Sequence, residues 1–238
     1  MSGHSHWSTI KHKKEAADKK RARIFSKLSR AIIVAAKQGG DVQMNPSLKI
    51  AIEQAKKANM PGDNIERAIK KGTGEVAGEV LEEFCFEAYG PAKSAIIIMG
   101  ITDNKNRALH QIKQILNSHN AKMAEEGAVR WQFEKKGIII PEQESLSKND
   151  LEMAVIDSGA EDMRWEGGNL EIYTLPEELE NVKKNIEEKQ INTESAVLGW
   201  VPREEIALEE NEKNKLEKLF SALDDNDDVQ QIYSNVKI

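Results

Sequence analysis

The sequence contains one cysteine among its 238 residues, Cys85, and only 5% of its residues are aromatic. A single thiol excludes an intramolecular disulfide framework and suits a reducing compartment. The longest apolar stretches, such as residues 94–101, have the length of a strand and fall far short of the roughly 20 residues of a membrane-spanning helix. The first 23 residues lack the apolar core of a secretory signal. These absences predict a cytoplasmic globular protein without a membrane segment.

Sequence motifs of the common enzyme classes are also missing. The chain has no G-x-S-x-G, P-loop, G-x-G-x-x-G or H-E-x-x-H pattern. His4, His6 and His12 have no cysteine or carboxylate at zinc-ligand spacing. The acidic segment, residues 224–228, lacks the spacing of an EF-hand loop and reads as a solvated turn. We therefore predict no catalytic residue, no metal site, no cofactor and no small-molecule substrate.

Charge is divided unevenly along the chain. Residues 1–75 hold 16 Lys and Arg against 7 Asp and Glu, a net charge of +9. The remaining residues hold 18 against 33, a net charge of -15, although the whole chain carries only -6. A split of this size indicates an anionic partner for the first third.

Residues 15–37 carry two sets of side chains at helical spacing. The apolar set is Phe25, Leu28, Ile32 and Ala36, and the basic set is Lys20, Arg23, Lys27 and Arg30. The two sets fall on nearly opposite faces of one helix. A solvated helix face usually mixes both signs of charge, whereas residues 1–30 hold nine cations and two anions. The basic set is therefore interpreted as a phosphate-binding face, which needs no particular base sequence.

The residues before this helix read as a basic arm. They include Trp7, an aromatic side chain that can stack on a base or hold an arm down on a backbone. With the helix, the predicted nucleic-acid-binding residues are Trp7, Lys11, His12, Lys13, Lys14, Lys19, Lys20, Arg21, Arg23, Lys27 and Arg30.

A second cationic position lies at residues 103–107, between a predicted strand and a predicted helix. Two interpretations stand side by side. Asp103 and Asn104 are typical of a turn capped by an Asx side chain. Alternatively, free amides at the helix N-terminus bind phosphate together with Lys105 and Arg107.

The order of predicted elements gives an α+β fold with three domains. Residues 1–77 form a small helical domain, in which Asn45 followed by Pro46 marks the start of a second helix. Residues 135–205 read as βαββαβ, a ferredoxin-like domain, inserted into a discontinuous α/β domain of residues 78–134 and 206–238. A strand is predicted over residues 128–133, and Trp131, Trp165 and Trp200 are predicted to lie in the core.

Several motifs resemble those of the YebC/PmpR family. They are Gly3-His4-Ser5-x-Trp7, Phe25-Ser26-Lys27, Asn45-Pro46-x-Leu48, residues 58–69 (Ala-Asn-Met-Pro-x-Asp-Asn-Ile-x-Arg-Ala-Ile), Tyr89-Gly90-Pro91, residues 102–107 (Thr-Asp-Asn-x-Asn-Arg) and residues 227–235 (Asp-Asp-Val-Gln-x-Ile-Tyr-x-Asn). The resemblance runs from end to end of the chain. Two positions depart from the family pattern. Ala92-Lys93 replaces a usual Gly pair, which puts a loop with positive φ angles there in question, and Ala128 replaces a common Ser.

The resemblance implies three domains, no enzyme activity and no cofactor. Family members, which include the mitochondrial translational activator of cytochrome c oxidase, are described as transcriptional regulators that bind promoter DNA. They are also described as ribosome-associated factors that help the translation of proline runs. The residues themselves indicate phosphate contact and leave DNA and ribosomal RNA open. A third hypothesis is a protein-binding adaptor that uses its sheet edges.

Overall fold

The computed structural model describes residues 17–142, 148–166 and 169–237, with the backbone alone at residues 17–20 and 166. Its helices are α1 (Ala17–Ala36), α2 (Pro46–Lys57), α3 (Gly62–Gly72), α4 (Lys105–Ser118), α5 (Lys148–Ile156), α6 (Leu179–Glu188) and α7 (Glu210–Asp224). Its strands are β1 (Glu82–Tyr89), β2 (Ala95–Thr102), β3 (Lys122–Met123), β4 (Phe133–Pro141), β5 (Asp162–Glu166), β6 (Asn169–Thr174), β7 (Thr193–Pro202), β8 (Ile206–Ala207), β9 (Val229–Ser234) and β10 (Val236–Lys237). The predicted α+β class is confirmed. Within the described ranges, no helix is long and apolar enough to cross a membrane.

Helices α1, α2 and α3 pack around one apolar cluster that includes Ile32, Leu48 and Ile65. The predicted start of α2 is confirmed, because the Asn45 side chain accepts a hydrogen bond from the Leu48 amide at 3.0 Å and Pro46 occupies the first helical position. Helix α3 ends at Gly72, where a Cβ atom would collide with the backbone of α1. These contacts present the remaining faces of the three helices to the rest of the protein and to solvent.

The first sheet joins distant parts of the chain. Its strand order is β3-β1-β2-β9, so a strand from the last ten residues lies beside β2. Helices α4 and α7 cover one face of this sheet and contribute Ile112, Leu116, Leu219 and Phe220 to its core. Residues before 134 and after 206 therefore share one sheet and one core.

The second sheet has the order β5-β6-β4-β7 with antiparallel pairing throughout. Helices α5 and α6 cover it, and its elements follow one another along the chain as βαββαβ. The two sheets are also in contact, because Phe133 and Trp200 pack with Ile97 and Tyr233 of the first sheet. The three domains and their boundaries at residues 77, 134 and 205 stay predictions, since packing continues across the last two of these boundaries.

The predicted strand over residues 128–133 is wrong. A turn and a 3-10 helix (Arg130–Gln132) occupy this segment, and β4 begins only at Phe133. The carboxylate of Glu87 accepts hydrogen bonds from the amides of residues 127, 129 and 130, each at 2.8–2.9 Å, and so takes donors that a strand would need. The predicted burial of Trp131 is also wrong, because 69% of it is exposed. Trp165 and Trp200 are half-buried.

The turn between β1 and β2 keeps positive φ angles without glycine. Ala92 has φ +52° and Lys93 has φ +61°, a region where a Cβ atom clashes with the backbone at a cost of about 1–2 kcal/mol per residue. Both side chains are exposed, so their contacts do not explain the strain. The hydrogen bonds between Gly90 and Ser94 and from the Ser94 amide to Pro91 hold the turn closed.

We expect the double substitution Ala92→Gly and Lys93→Gly to stabilise the protein. Relief of left-handed strain exceeds the extra entropy that glycine gives the unfolded chain, for a net gain of about 1 kcal/mol. Thermal unfolding should show a higher melting temperature. Ala58→Gly is the control, because Ala58 has φ -78° and should lose stability. A lower melting temperature for the double variant would show that the turn is not strained.

Candidate nucleic-acid interface

The predicted nucleic-acid-binding residues fall into three groups. Trp7, Lys11, His12, Lys13 and Lys14 lie outside the described residues, and Lys19 and Lys20 lie in the first turn of α1 with side chains that are not described. Arg21 is exposed. Arg23, Lys27, Arg30, Lys105 and Arg107 all contact carboxylates of this same chain. The residues of the last group thus have internal carboxylate partners in the structure, and their contact with phosphate stays a prediction.

The basic face of α1 lies against the acidic segment. Arg23 contacts Asp225 at 2.7 Å, and Lys27 contacts both the carboxylate of Asp224 at 3.0 Å and its carbonyl oxygen at 2.8 Å. Helix α7 ends at Asp224, so Lys27 also lies at the negative end of a helix dipole. The cations of one helix thus bind the end of another that follows nearly 200 residues later in the chain.

Asp228 is the centre of the deepest part of this contact. Its carboxylate, 5% exposed, accepts hydrogen bonds from Arg30 at 2.5 Å, Arg107 at 3.0 Å and the Thr102 hydroxyl at 3.0 Å. Arg30 also donates to the carbonyl oxygen of Asp227 at 2.9 Å. A buried carboxylate needs this many donors to offset the loss of water.

The segment at residues 103–107 is capped as the first interpretation predicted. Asn104 is the N-cap of α4, and its side chain accepts a hydrogen bond from the Arg107 amide at 3.0 Å. Arg107 lowers the pKa of Asp103 below its usual range through a 2.6 Å contact. Lys105 contacts Glu82 at 3.1 Å. Phosphate binding by Lys105 and Arg107 would require both to give up these partners.

Other cations of the first third also anchor it to the remainder of the chain. Lys49 contacts Glu180 of α6 at 2.9 Å, and this contact raises the pKa of Lys49. Lys57 donates hydrogen bonds to the carbonyl oxygens of residues 193 and 194. Lys37 donates to the carbonyl oxygen of Leu81. The charge split along the sequence therefore serves docking within the molecule as well as any external partner.

Three cations that the sequence analysis missed lie on the outer face of α3. Arg67, Lys70 and Lys71 are exposed, and none has an ion pair with another described residue. They follow one another at spacings of three and one, and so share one side of the helix, opposite the buried Ile65 and Ala68. Helical periodicity over residues 62–72 places these cations on one face from the sequence alone.

An exposed aromatic pair lies elsewhere, at the end of β1. The indole N–H of Trp131 and the hydroxyl of Tyr89 both donate to the carbonyl oxygen of Ala128, at 3.1 and 3.3 Å. Glu87 fixes this loop: burial alone would raise its pKa, but the three backbone amides and Arg130 outweigh burial and lower it. The loop carries charges of both signs, the exposed Glu126 and the partly buried Arg130, so the pair does not select an anionic partner.

Family comparisons match nearly the whole chain. Residues 5–75 match the family described as the TACO1/YebC protein N-terminal domain. Residues 81–236 match the family described as the TACO1/YebC second and third domain.

Individual relatives match over nearly their full length. A protein named probable transcriptional regulatory protein from Thermoanaerobacter pseudethanolicus is 47% identical over 100% of this chain and 98% of its own length. A protein of the same description from Caldanaerobacter subterraneus is 45% identical over 100% of this chain and 99% of its own. The crystal structure of a conserved hypothetical protein from Aquifex aeolicus has a TM-score of 0.89 at 43% identity, covering 98% of this chain and 97% of that one.

We expect Asp228→Asn to destabilise the protein far more than Asp227→Asn. The first removes a buried charge that two guanidinium groups share. The expected loss of stability is limited to about 2 kcal/mol, because water can partly solvate both guanidinium groups once that charge is gone. The second removes a carboxylate that is 64% exposed and worth at most about 0.5 kcal/mol. Thermal unfolding of the two variants checks this. Equal melting temperatures would show that Asp228 does not hold the domains together.

Proposed function

The chain belongs to the TACO1/YebC family, and on this premise we propose that it is a non-enzymatic regulator of gene expression that binds nucleic acid through its basic helical first third. The relatives' names, probable transcriptional regulatory protein, support the regulatory role. We take promoter DNA as the first candidate partner on the same ground.

The proposed binding of nucleic acid is supported mainly by a set of exposed cations that have no partner within the protein. Among the described residues of the first third, these are Arg21, Lys56, Arg67, Lys70 and Lys71. Six other cations of that third hold the domain on the rest of the chain. Docking leaves the α3 cations pointing away from their own core, where they can neutralise phosphates and release counterions.

Ribosomal RNA is the second candidate partner. Lysine and arginine at helical spacing contact a phosphate backbone without reading bases, and such a contact serves folded RNA as well as duplex DNA. A ribosome-associated translation factor would use the same face of α3. Crosslinking in cells, followed by sequencing of the bound nucleic acid, separates the two: promoter fragments support the first candidate and ribosomal RNA the second.

We expect the triple substitution Arg67→Gln, Lys70→Gln and Lys71→Gln to weaken binding to both duplex DNA and an RNA hairpin. Glutamine keeps helix propensity, so the fold should survive. If each cation contacts one phosphate, the slope of log affinity against log salt should fall by up to about 0.9 per cation. Fluorescence anisotropy between roughly 50 and 200 mM salt measures this slope.

The matched control removes three exposed lysines from the acidic remainder: Lys113→Gln, Lys184→Gln and Lys218→Gln. It changes net charge by the same amount and should leave the slope nearly unchanged. Equal loss of affinity in both triple variants would mean that net charge, and not the α3 face, sets binding. Unchanged affinity in the α3 variant would move the site to the residues before α1.

A further inference from the structure

The contact between α1 and the acidic segment has an outer and an inner part that differ in exposure. The outer part joins Arg23 to Asp225 and Asp227, with side chains 44%, 58% and 64% exposed. The inner part joins Lys27 to Asp224 and Arg30 to Asp228, and there exposure ranges from 5% to 21%. The basic face of α1 thus carries one cation with exposed ion pairs, Arg23, beside two cations with largely buried ion pairs, Lys27 and Arg30.

We propose that the acidic segment is an internal competitor of nucleic acid for Arg23, and that a bound phosphate takes this cation from Asp225 and Asp227 while Lys27 and Arg30 stay docked. This competition rests on the proposed function and adds the identity of one cation that would exchange partners. Arg23 is a nucleic-acid-binding residue that the free protein keeps occupied. Lys27 and Arg30, which the sequence placed in the same stripe, are docking residues.

The chemistry of the outer pair favours exchange. Exposed ion pairs contribute little stability, because water screens the charges and ordering two side chains costs entropy. A guanidinium binds phosphate as well as carboxylate through the same two-donor geometry. The phosphate also releases its condensed counterions on binding, a gain that the carboxylates of the acidic segment do not offer.

The inner pairs cannot exchange in the same way. Lys27 donates to a backbone carbonyl as well as to the carboxylate of Asp224, and Arg30 donates to the carbonyl oxygens of residues 101 and 227. These oxygens lie on three backbone positions in the end of α7, in β2 and in the acidic segment, so a phosphate would have to displace several fixed acceptors at once. Asp228 would then lie buried without one of its cations, which is costly.

The test neutralises the outer carboxylates. In Asp225→Asn with Asp227→Asn, Arg23 no longer has to be taken from a charged partner, and we expect affinity for an RNA hairpin or duplex DNA to rise about three- to tenfold, with a salt slope steeper by up to about 0.9. The control Glu177→Gln with Glu204→Gln removes the same number of charges at exposed positions outside the acidic segment. It should raise affinity only slightly.

A double-mutant cycle isolates Arg23. In the background of Arg23→Gln, the two Asp→Asn substitutions should raise affinity no more than the control does. Lys27→Gln and Arg30→Gln should lower the melting temperature and leave the salt slope unchanged.

Failure of the competition for Arg23 and failure of the proposed function give different results. If the unaltered protein binds neither nucleic acid, the proposed function fails. If it binds but the Asp→Asn pair behaves like its control, or raises affinity equally with and without Arg23, the competition does not exist. A smaller salt slope for Lys27→Gln or Arg30→Gln would place those residues on phosphate and overturn their assignment to docking.

Discussion

The first helix and the end of the last helix hold each other by charge, and the position of the first three helices beside the first sheet depends on this contact. Helix α1 brings its cations to the acidic segment, and the buried carboxylate of Asp228 binds α1 and the start of α4 at once through Arg30 and Arg107. The helical domain is thereby fixed to the first sheet. Contacts of Lys49 with α6 and of Lys57 with β7 fix its other side to the second sheet and the helix that covers it. Both sheets therefore determine where the helical domain lies.

The ion pairs between α1 and the acidic segment differ in kind from the apolar cores of the protein. Each core buries its aliphatic side chains completely, as at Ile32, Ile112 and Ile172, and salt changes such burial little. The contacts of α1 with the acidic segment weaken as ionic strength rises, most where the side chains are exposed. Domains joined in this way keep their internal structure while the strength of their attachment varies with the surrounding ions.

Much of the fold follows from local sequence signals, while the partner of the basic face does not. Asn45 and Pro46 specify a helix start because capping involves only neighbouring residues. The strand-like alternation through Trp131 misleads because Glu87, some 40 residues earlier, takes the amides of that segment. The acidic segment reads as a solvated turn for the same reason: Lys27 lies 197 residues from Asp224, and no local pattern shows that they meet. Exposed cations on α3 were within reach of helical periodicity.

The pairing of β9 with β2 has a consequence for how the chain is made. Until β9 has left the ribosome, β2 keeps an open edge along Ile96–Ile98, a strongly apolar strand of the kind that pairs with other chains. The acidic segment directly precedes β9, so Lys27 of α1 waits for 197 further residues before its carboxylate partner, Asp224, is made. Folding of the first sheet and docking of the first helix thus both wait for residues 224–234, and until then the nascent chain is more basic around α1 and more open to association than the folded protein.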